Sequence, residues 1–236
     1  MRLLLALLAL IPLSLVATAC AGTDAKKAED LLAQSRTAAQ SVSSEGFTMK
    51  ISMQANGKSG EVDAQGGMIL KGAQAGDFFA TMATAVPGVP AQNIVMVKRG
   101  RSMQMHVNGV TRTVPVPASM KVPSTAAGFD VNALTPYVKD VSVSTLDVNG
   151  RTEDEITGTL DGDAMLAGLP GLSKGMLSSF GPSLGDINVQ LFIPRDSHLV
   201  ETMLLDMTMH IAKQSLHMSM SYAVTSVNQS LAFPQQ

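Results

Sequence analysis

The chain has 236 residues, 45% of them hydrophobic and only 15% charged, a balance typical of folded domains and not of long disordered chains. Its formal net charge of −2 argues against a basic nucleic-acid platform and against a polybasic membrane patch. A single cysteine excludes an intrachain disulfide and a cysteine-based metal cluster, whereas 16 methionines are an excess that needs an explanation.

The first segment has the features of an export signal. A short positive start, Met1-Arg2, precedes an apolar run over residues 3–16, and the small residues Ala17-Thr18-Ala19 follow. The apolar run is too short for a good bilayer span. We therefore predict that residues 1–19 are a secretory signal peptide.

The residues from Ala17 to Cys20 resemble a bacterial lipobox, with Ala17 in the place where leucine is usual. This resemblance implies that Cys20 becomes the lipidated N-terminus of the mature protein, anchored at the extracytoplasmic face of the cell membrane. A lipid on Cys20 also explains a lone cysteine in an exported protein, where a free thiol is an oxidation liability. Residues 20–27 are then the lipidated cysteine and a polar tether, and one domain occupies residues 28–236.

The first predicted element of that domain is an amphipathic helix over residues 28–42. Its narrow stripe of small and apolar residues indicates a helix that lies close on a sheet, with Asp24 as its N-cap. The stripe consists of Leu31, Leu32, Ser35, Ala38, Ala39 and Val42.

From Phe47 onward the apolar period changes to two, which predicts β-strands. The turns Asn56-Gly57, Asn108-Gly109 and Asn149-Gly150 are strong hairpin signals. The predicted strands cover residues 47–53, 61–71, 78–84, 94–98, 103–107, 110–114, 141–148, 153–160, 187–193, 200–211 and 216–227.

Between the strands, a short helix is predicted over residues 131–139 and two more within residues 161–185. The expected fold class is α+β: a single large curved antiparallel sheet, a half-barrel of about ten strands, with a few helices covering its concave face. The segments over residues 85–92 and 162–185 are rich in Gly, Pro and small residues, so they are candidates for covers that move to admit a ligand.

Three segments, taken in order and spacing, resemble the LppX/LprAFG family of actinobacterial lipoproteins, which has a LolA-like fold. They are the Phe-Thr-Met-Lys-Ile-Ser strand at 47–52, the hairpin at 146–161, and residues 189–194 with the polar turn at 195–198. Phe192 stands where relatives often have tryptophan. The resemblance implies that residues 28–236 form a LolA-like lipid-binding domain, whose apolar cavity holds acyl chains of lipids or lipoglycans. It further implies that these lipids are carried across or away from the cytoplasmic membrane, with a membrane transporter as a possible partner.

The methionines support such a cavity by their spacing. Alternate residues of a strand share a face, so pairs such as Met103 and Met105 form stripes. Methionine is flexible and adapts to variable apolar partners. On the residues alone an ordinary core filled with methionine is the simpler interpretation, and the family resemblance favours the cavity. The predicted lining residues are Met49, Ile51, Met53, Met103, Met105, Met203, Met207, Met209, Met218 and Met220.

Two other classes of function remain as alternatives: an exported copper(I)-binding protein, and a non-catalytic surface interaction or sensor lipoprotein. Three runs place His106, His210 or His217 beside a methionine pair, and thioether and imidazole ligands suit copper(I). Strand alternation directs each histidine away from its methionines, which leaves only a methionine site across neighbouring strands.

No catalytic motif is present, and we expect neither a cofactor, a metal, an enzymatic activity nor a nucleic-acid partner. The densest acidic run, Glu153-Asp154-Glu155, is expected to be a solvated strand edge.

Overall fold

The structure, a computed structural model, describes residues 11–86, 90–116, 138–162, 183–211 and 214–234. These residues contain one α-helix, α1 (Ile11–Ala39), and eleven β-strands. The strands are β1 (Ser44–Ala55), β2 (Lys58–Ile69), β3 (Phe78–Ala85), β4 (Gln92–Arg99), β5 (Ser102–Val107), β6 (Val110–Pro115), β7 (Val138–Val148), β8 (Arg151–Asp161), β9 (Ser183–Pro194), β10 (Thr202–Ile211) and β11 (Gln214–Val227).

All of these strands belong to one sheet in the order β6-β5-β4-β3-β2-β1-β11-β10-β9-β8-β7. Every neighbouring pair is antiparallel, and the sheet is open, with β6 and β7 as its edges. Twisted sheets of this width tend to curl, so the arrangement fits a curved sheet. The prediction of one large antiparallel sheet is confirmed, with eleven strands in place of about ten.

The predicted helices between the strands are only partly testable. Residues 117–137 and 163–182 lie outside the described residues, and these hold most of the three helices and of the second candidate cover. The helix predicted for residues 131–139 extends too far, because Val138 and Lys139 belong to β7 and pair with Leu160 and Thr159 of β8.

Helix α1 is longer at its start than predicted and ends earlier. Residues 20–27, expected as a tether, are helical, and Asp24 lies inside the helix and is not its N-cap. At the other end Ser41 and Val42 donate to carbonyls three residues back, and these bonds tighten the last turn. The described helical residues hold no stretch long and apolar enough to cross a membrane.

The two faces of the sheet differ in polarity. We call the side on which α1 lies the inner face. The outer face of β1 carries Thr48, Lys50, Ser52 and Gln54, and on that side Lys50 forms a 3.2 Å ion pair with Glu61 of β2. The outer face is not polar everywhere: on β3 and β4 the ring of Phe79 packs on that of Phe233 with centroids 5.2 Å apart, and Val97, which pairs with Phe79, is 6% exposed.

Helix α1 lies on the inner face at β7, β8 and β9. Leu31 and Leu32 of α1 are buried in one cluster with aliphatic side chains of these strands. Leu160 is 1% exposed and Ile187 is 2% exposed. The hydroxyl oxygen of Ser35 also accepts a 3.1 Å hydrogen bond from the backbone N–H of Val200, which ties the helix to the segment between β9 and β10.

The acidic run at the start of β8 differs from its prediction. Strand β8 lies between β7 and β9, so it is not an edge, and its Asp154 is 4% exposed. The guanidinium of Arg195 donates to both carboxylate oxygens of Asp154, at 2.9 and 2.8 Å, and the hydroxyl of Thr145 donates at 2.8 Å. The prediction of a solvated run is therefore wrong for Asp154.

Replacing Asp154 by asparagine is expected to lower the free energy of unfolding at pH 7 by about 2 kcal/mol, since hydrogen bonds to a charged group are lost. Hydrogen bonds from Arg195 hold the pKa of Asp154 below its usual value. A lowered pKa stabilises the fold above the unfolded-state pKa of about 3.9, and this contribution is lost as the pH falls through the folded-state pKa. The difference in the free energy of unfolding between wild type and Asp154→Asn should therefore shrink below about pH 4.

Urea unfolding at pH 7 and pH 3 measures this difference in stability. The control is Glu153→Gln, a change at the neighbouring residue that faces outward. A difference that is unchanged at pH 3 would contradict the role of the charge.

Candidate functional site

The strand register places the predicted methionines on one face. Directly paired residues of neighbouring strands share a face, so one row runs from Met53 of β1 through Met218 of β11 to Met207 of β10. Met207 pairs in turn with Ile187 of β9, which belongs to the core under α1. This row therefore lies on the inner face.

The other half of the sheet continues the same face. Met49 pairs with Ala64 of β2, which pairs with Met82 of β3. In the next rows Met96 of β4 pairs with Met105 of β5. Each of these pairs joins two residues on the same side of the sheet. The inner face therefore extends without interruption from β10 to β5.

The structure gives a general rule for methionine in this chain: all twelve methionines of the described strands lie on the inner face. The four other methionines lie outside the described residues. The twelve are Met49, Met53, Met68, Met82, Met96, Met103, Met105, Met203, Met207, Met209, Met218 and Met220.

Methionine is absent from the inner face of β7, β8 and β9 as far as these strands' side chains are described. That part packs on α1 and uses only branched aliphatic side chains at its apolar positions. These side chains are Val138, Val141, Val143, Ile156, Leu160, Ile187, Val189, Leu191 and Ile193. Stiff branched residues thus occur where the packing partner is fixed, and flexible methionines occur on the rest of the face. We call the inner surface of β10, β11 and β1 to β5 the methionine face.

Burial divides the predicted lining residues into two groups. Met203 is 2% exposed and Met220 is 9% exposed, and both belong to the main core cluster. The other eight are half-buried: Met49, Ile51, Met53, Met103, Met105, Met207, Met209 and Met218. The structure thus brings all ten onto one face but gives two of them a core environment. That the residues line a lipid cavity stays a prediction.

One end of the methionine face is closed by aromatic and polar contacts. The rings of Phe47 and Tyr222 stack with their centroids 5.7 Å apart. The Tyr222 hydroxyl donates a hydrogen bond to the buried carboxylate of Glu45. A charge on this apolar face is therefore paired within the protein, as burial requires.

Beside the methionine face, a cavity of about 280 Å³ lies between α1 and the aliphatic strands. Most of its lining is apolar, including Leu32 of α1 and Ile156, Leu160, Val189 and Leu191 of the sheet, and α1 also contributes the charged residues Glu29 and Arg36. The volume is close to the lower end of the range of small-molecule sites, which begins at about 300 Å³. The cavity fits an apolar segment of a ligand.

Two of the three histidines beside methionine pairs turn away from them, and the side chain of His210 lies outside the described residues. His106 is on the outer face, where its ring nitrogen lies 2.8 Å from the Thr111 hydroxyl, and His217 lies there 3.2 Å from a carboxylate oxygen of Asp206. Within the described part of the chain, no three His, Cys, Asp or Glu side chains are grouped so as to hold a metal ion. The row Met53–Met218–Met207 therefore offers only thioether groups as ligands for copper(I).

Comparison with known proteins bears on the fold. No protein-family model and no curated protein matches the sequence. Among solved structures, LprF from Mycobacterium bovis is similar at a TM-score of 0.50 and 14% identity, over 89% of this chain and 97% of that one. Lipoprotein LppX from Mycobacterium tuberculosis is similar at a TM-score of 0.48 and 15% identity, over 87% of this chain and 99% of that one.

At this level of identity the likeness establishes the fold and nothing finer. The resemblance of the sequence to the LppX/LprAFG lipoproteins is therefore confirmed as a likeness of fold. The chain has the fold of LprF.

Proposed function

We propose that the protein is an exported lipoprotein that binds acyl chains of lipids or lipoglycans against its methionine face and carries them across or away from the cytoplasmic membrane. The observation that carries this proposal is the segregation of methionine. All twelve described methionines share the inner face, and none belongs to β7, β8 or β9, the strands whose aliphatic side chains line the cavity beside α1. Flexible thioether side chains suit a surface whose apolar partner varies, and mobile acyl chains are such a partner.

The proposal includes a lipid anchor on Cys20, supported by the lipobox and by the fold shared with LprF. Helix α1 runs from the anchor position into the core, where Ala28 is buried. Eight residues of helix span about 12 Å. The binding domain would then be held close to the membrane surface by a helix, a position suited to exchange of lipid with the bilayer.

Binding fits the inner face better than catalysis does. The charged groups Glu45, Lys98 and Asp154 lie on this face, and each is hydrogen-bonded to another group of the protein. Groups held in this way stabilise the fold and offer no free acid, base or nucleophile to a substrate.

Mass spectrometry of the full chain, extracted from the host membrane, tests both parts of the proposal. Under native conditions we expect a co-purifying lipid, and under denaturing conditions a chain that begins at an acylated Cys20. The control variant Cys20→Ser should leave the membrane fraction or remain unprocessed.

Two results would contradict the proposal. Stoichiometric copper without lipid would support the rival copper(I) function, which the thioether row Met53–Met218–Met207 favours. A clean apoprotein with neither ligand would support an interaction or sensor role at the cell surface.

A further inference from the structure

An exposed cation, Arg112, lies on the inner face beside the methionines. Arg112 of β6 pairs with Met105 of β5, which pairs with Met96 of β4, so the three side chains form one row. Neighbouring strands are about 4.8 Å apart, which places the two methionines about 5 and 10 Å from Arg112. Along β6, Val110 and Val114 flank Arg112 on the same face and are 57% and 39% exposed.

Arg112 differs from the other charged residues of this face. Lys98 is buried and its ammonium donates a 2.7 Å hydrogen bond to the carbonyl of Gly76. Asp154 is held by Arg195, and Glu45 by Tyr222. Lys58 and Asp147 lie at the ends of their strands, beside hairpin turns. Arg112 is exposed, lies within its strand, and has no hydrogen bond or ion pair to the described residues.

We propose that Arg112 binds the anionic head of the ligand, so that the methionine face selects acyl lipids that carry a phosphate or carboxylate. This inference rests on the proposed function. A ligand that lies along this row reaches the exposed guanidinium at the end of the row. A lipid with an anionic head gains a favourable partner there, because a guanidinium pairs with phosphate or carboxylate through two parallel hydrogen bonds.

The position of Arg112 also sets the orientation of the ligand. Strand β6 is an edge of the sheet, where an arginine stem can lie along apolar surface while its head stays near water. The head group is therefore placed at the β6 edge, and the acyl chains extend over Met105 and Met96 toward the middle of the sheet.

The test compares two fluorescent lipids with identical acyl chains, phosphatidylglycerol and phosphatidylcholine, for binding to the delipidated full chain. We expect wild type to bind phosphatidylglycerol about tenfold more tightly, the change that one charge-assisted pair supplies. Arg112→Gln should remove this preference without weakening phosphatidylcholine, and Arg112→Lys should restore part of it. The matched control is Arg101→Gln, an exposed arginine in the turn between β4 and β5, and it should bind as wild type does.

Equal binding of both lipids by wild type, or an equal loss of both in Arg112→Gln, would overturn the role of Arg112 and leave the lipid-binding function standing. Binding of neither lipid would overturn that function as well. Inorganic phosphate distinguishes a free-anion site: if phosphate alone binds wild type but not Arg112→Gln, and lipid is not bound, the site serves a soluble anion and the proposal is wrong. Unchanged thermal unfolding of the variants shows that the exposed side chain acts on binding and not on folding.

Discussion

Replacing Ile187 by alanine is expected to lower the free energy of unfolding by about 3 kcal/mol, the usual effect of removing a buried branched side chain. Ile187 is 2% exposed and pairs directly with Leu160 on one side and Met207 on the other. The backbones of its neighbours are held by strand hydrogen bonds on both sides, so the sheet itself cannot close the space. The cost is therefore expected to include both the lost burial and most of the cavity.

The matched control is Leu146→Ala, which removes the same number of carbon atoms from the outer face of the sheet. Leu146 is 37% exposed, and a surface substitution of this kind is expected to cost less than about 0.5 kcal/mol. Urea unfolding of both variants checks the pair. Equal losses would mean that the outer face of β7 is covered in solution, which would contradict the exposure of Leu146 there.

The strands and turns could be predicted because their signals are local. Asn56-Gly57, Asn108-Gly109 and Asn149-Gly150 were expected to turn hairpins, and all six residues have positive φ, from 48° to 85°. Two successive residues with positive φ define the type I′ turn, which glycine and asparagine adopt at little cost. The order of the strands then follows from short antiparallel connections, with β1 and β11 meeting in the middle of the sheet.

The environment of single polar residues could not be predicted in the same way. Asp154 stands in an acidic run, and its partner Arg195 is 41 residues further along the chain. Nothing in the local pattern connects the two, because only the pairing of β8 with β9 brings them together. Long-range pairs of this kind are a property of register, which alternation alone does not determine.

The candidate site was predicted where methionines occur in pairs and missed where they occur singly. Met103 and Met105 share a face by spacing alone, whereas Met68, Met82 and Met96 have no methionine two residues away. The available signal was the alternation of their strands: Ala80 precedes Met82 by two residues, and Ile94 precedes Met96 by two. No sequence signal separates the half-buried methionines from the buried ones, because burial depends on what packs against each row of paired residues.

This division leads to the sharpest expectation for the methionine face. Met218 is half-buried in the row between Met53 and Met207, whereas Met203, on the same face, is 2% exposed. In a tightly packed core, added volume typically costs about 1–3 kcal/mol. Met203→Trp is therefore expected to destabilise the protein by that amount, and Met218→Trp is expected to leave the thermal unfolding of the delipidated protein nearly unchanged.

Lipid uptake should respond to Met218→Trp although stability does not. The indole and the acyl chain compete for the same volume, and losing the contact of two methylenes, at about 0.8 kcal/mol each, lowers affinity roughly tenfold. Titration with a fluorescent lipid measures the affinity, and Met105→Trp gives a second, independent position on β5. If Met218→Trp destabilised the protein as much as Met203→Trp and uptake stayed unchanged, the methionines would be ordinary core. In that case the rule that places all twelve on one face would describe only the packing of the sheet, because a tightly filled face leaves no volume for an acyl chain.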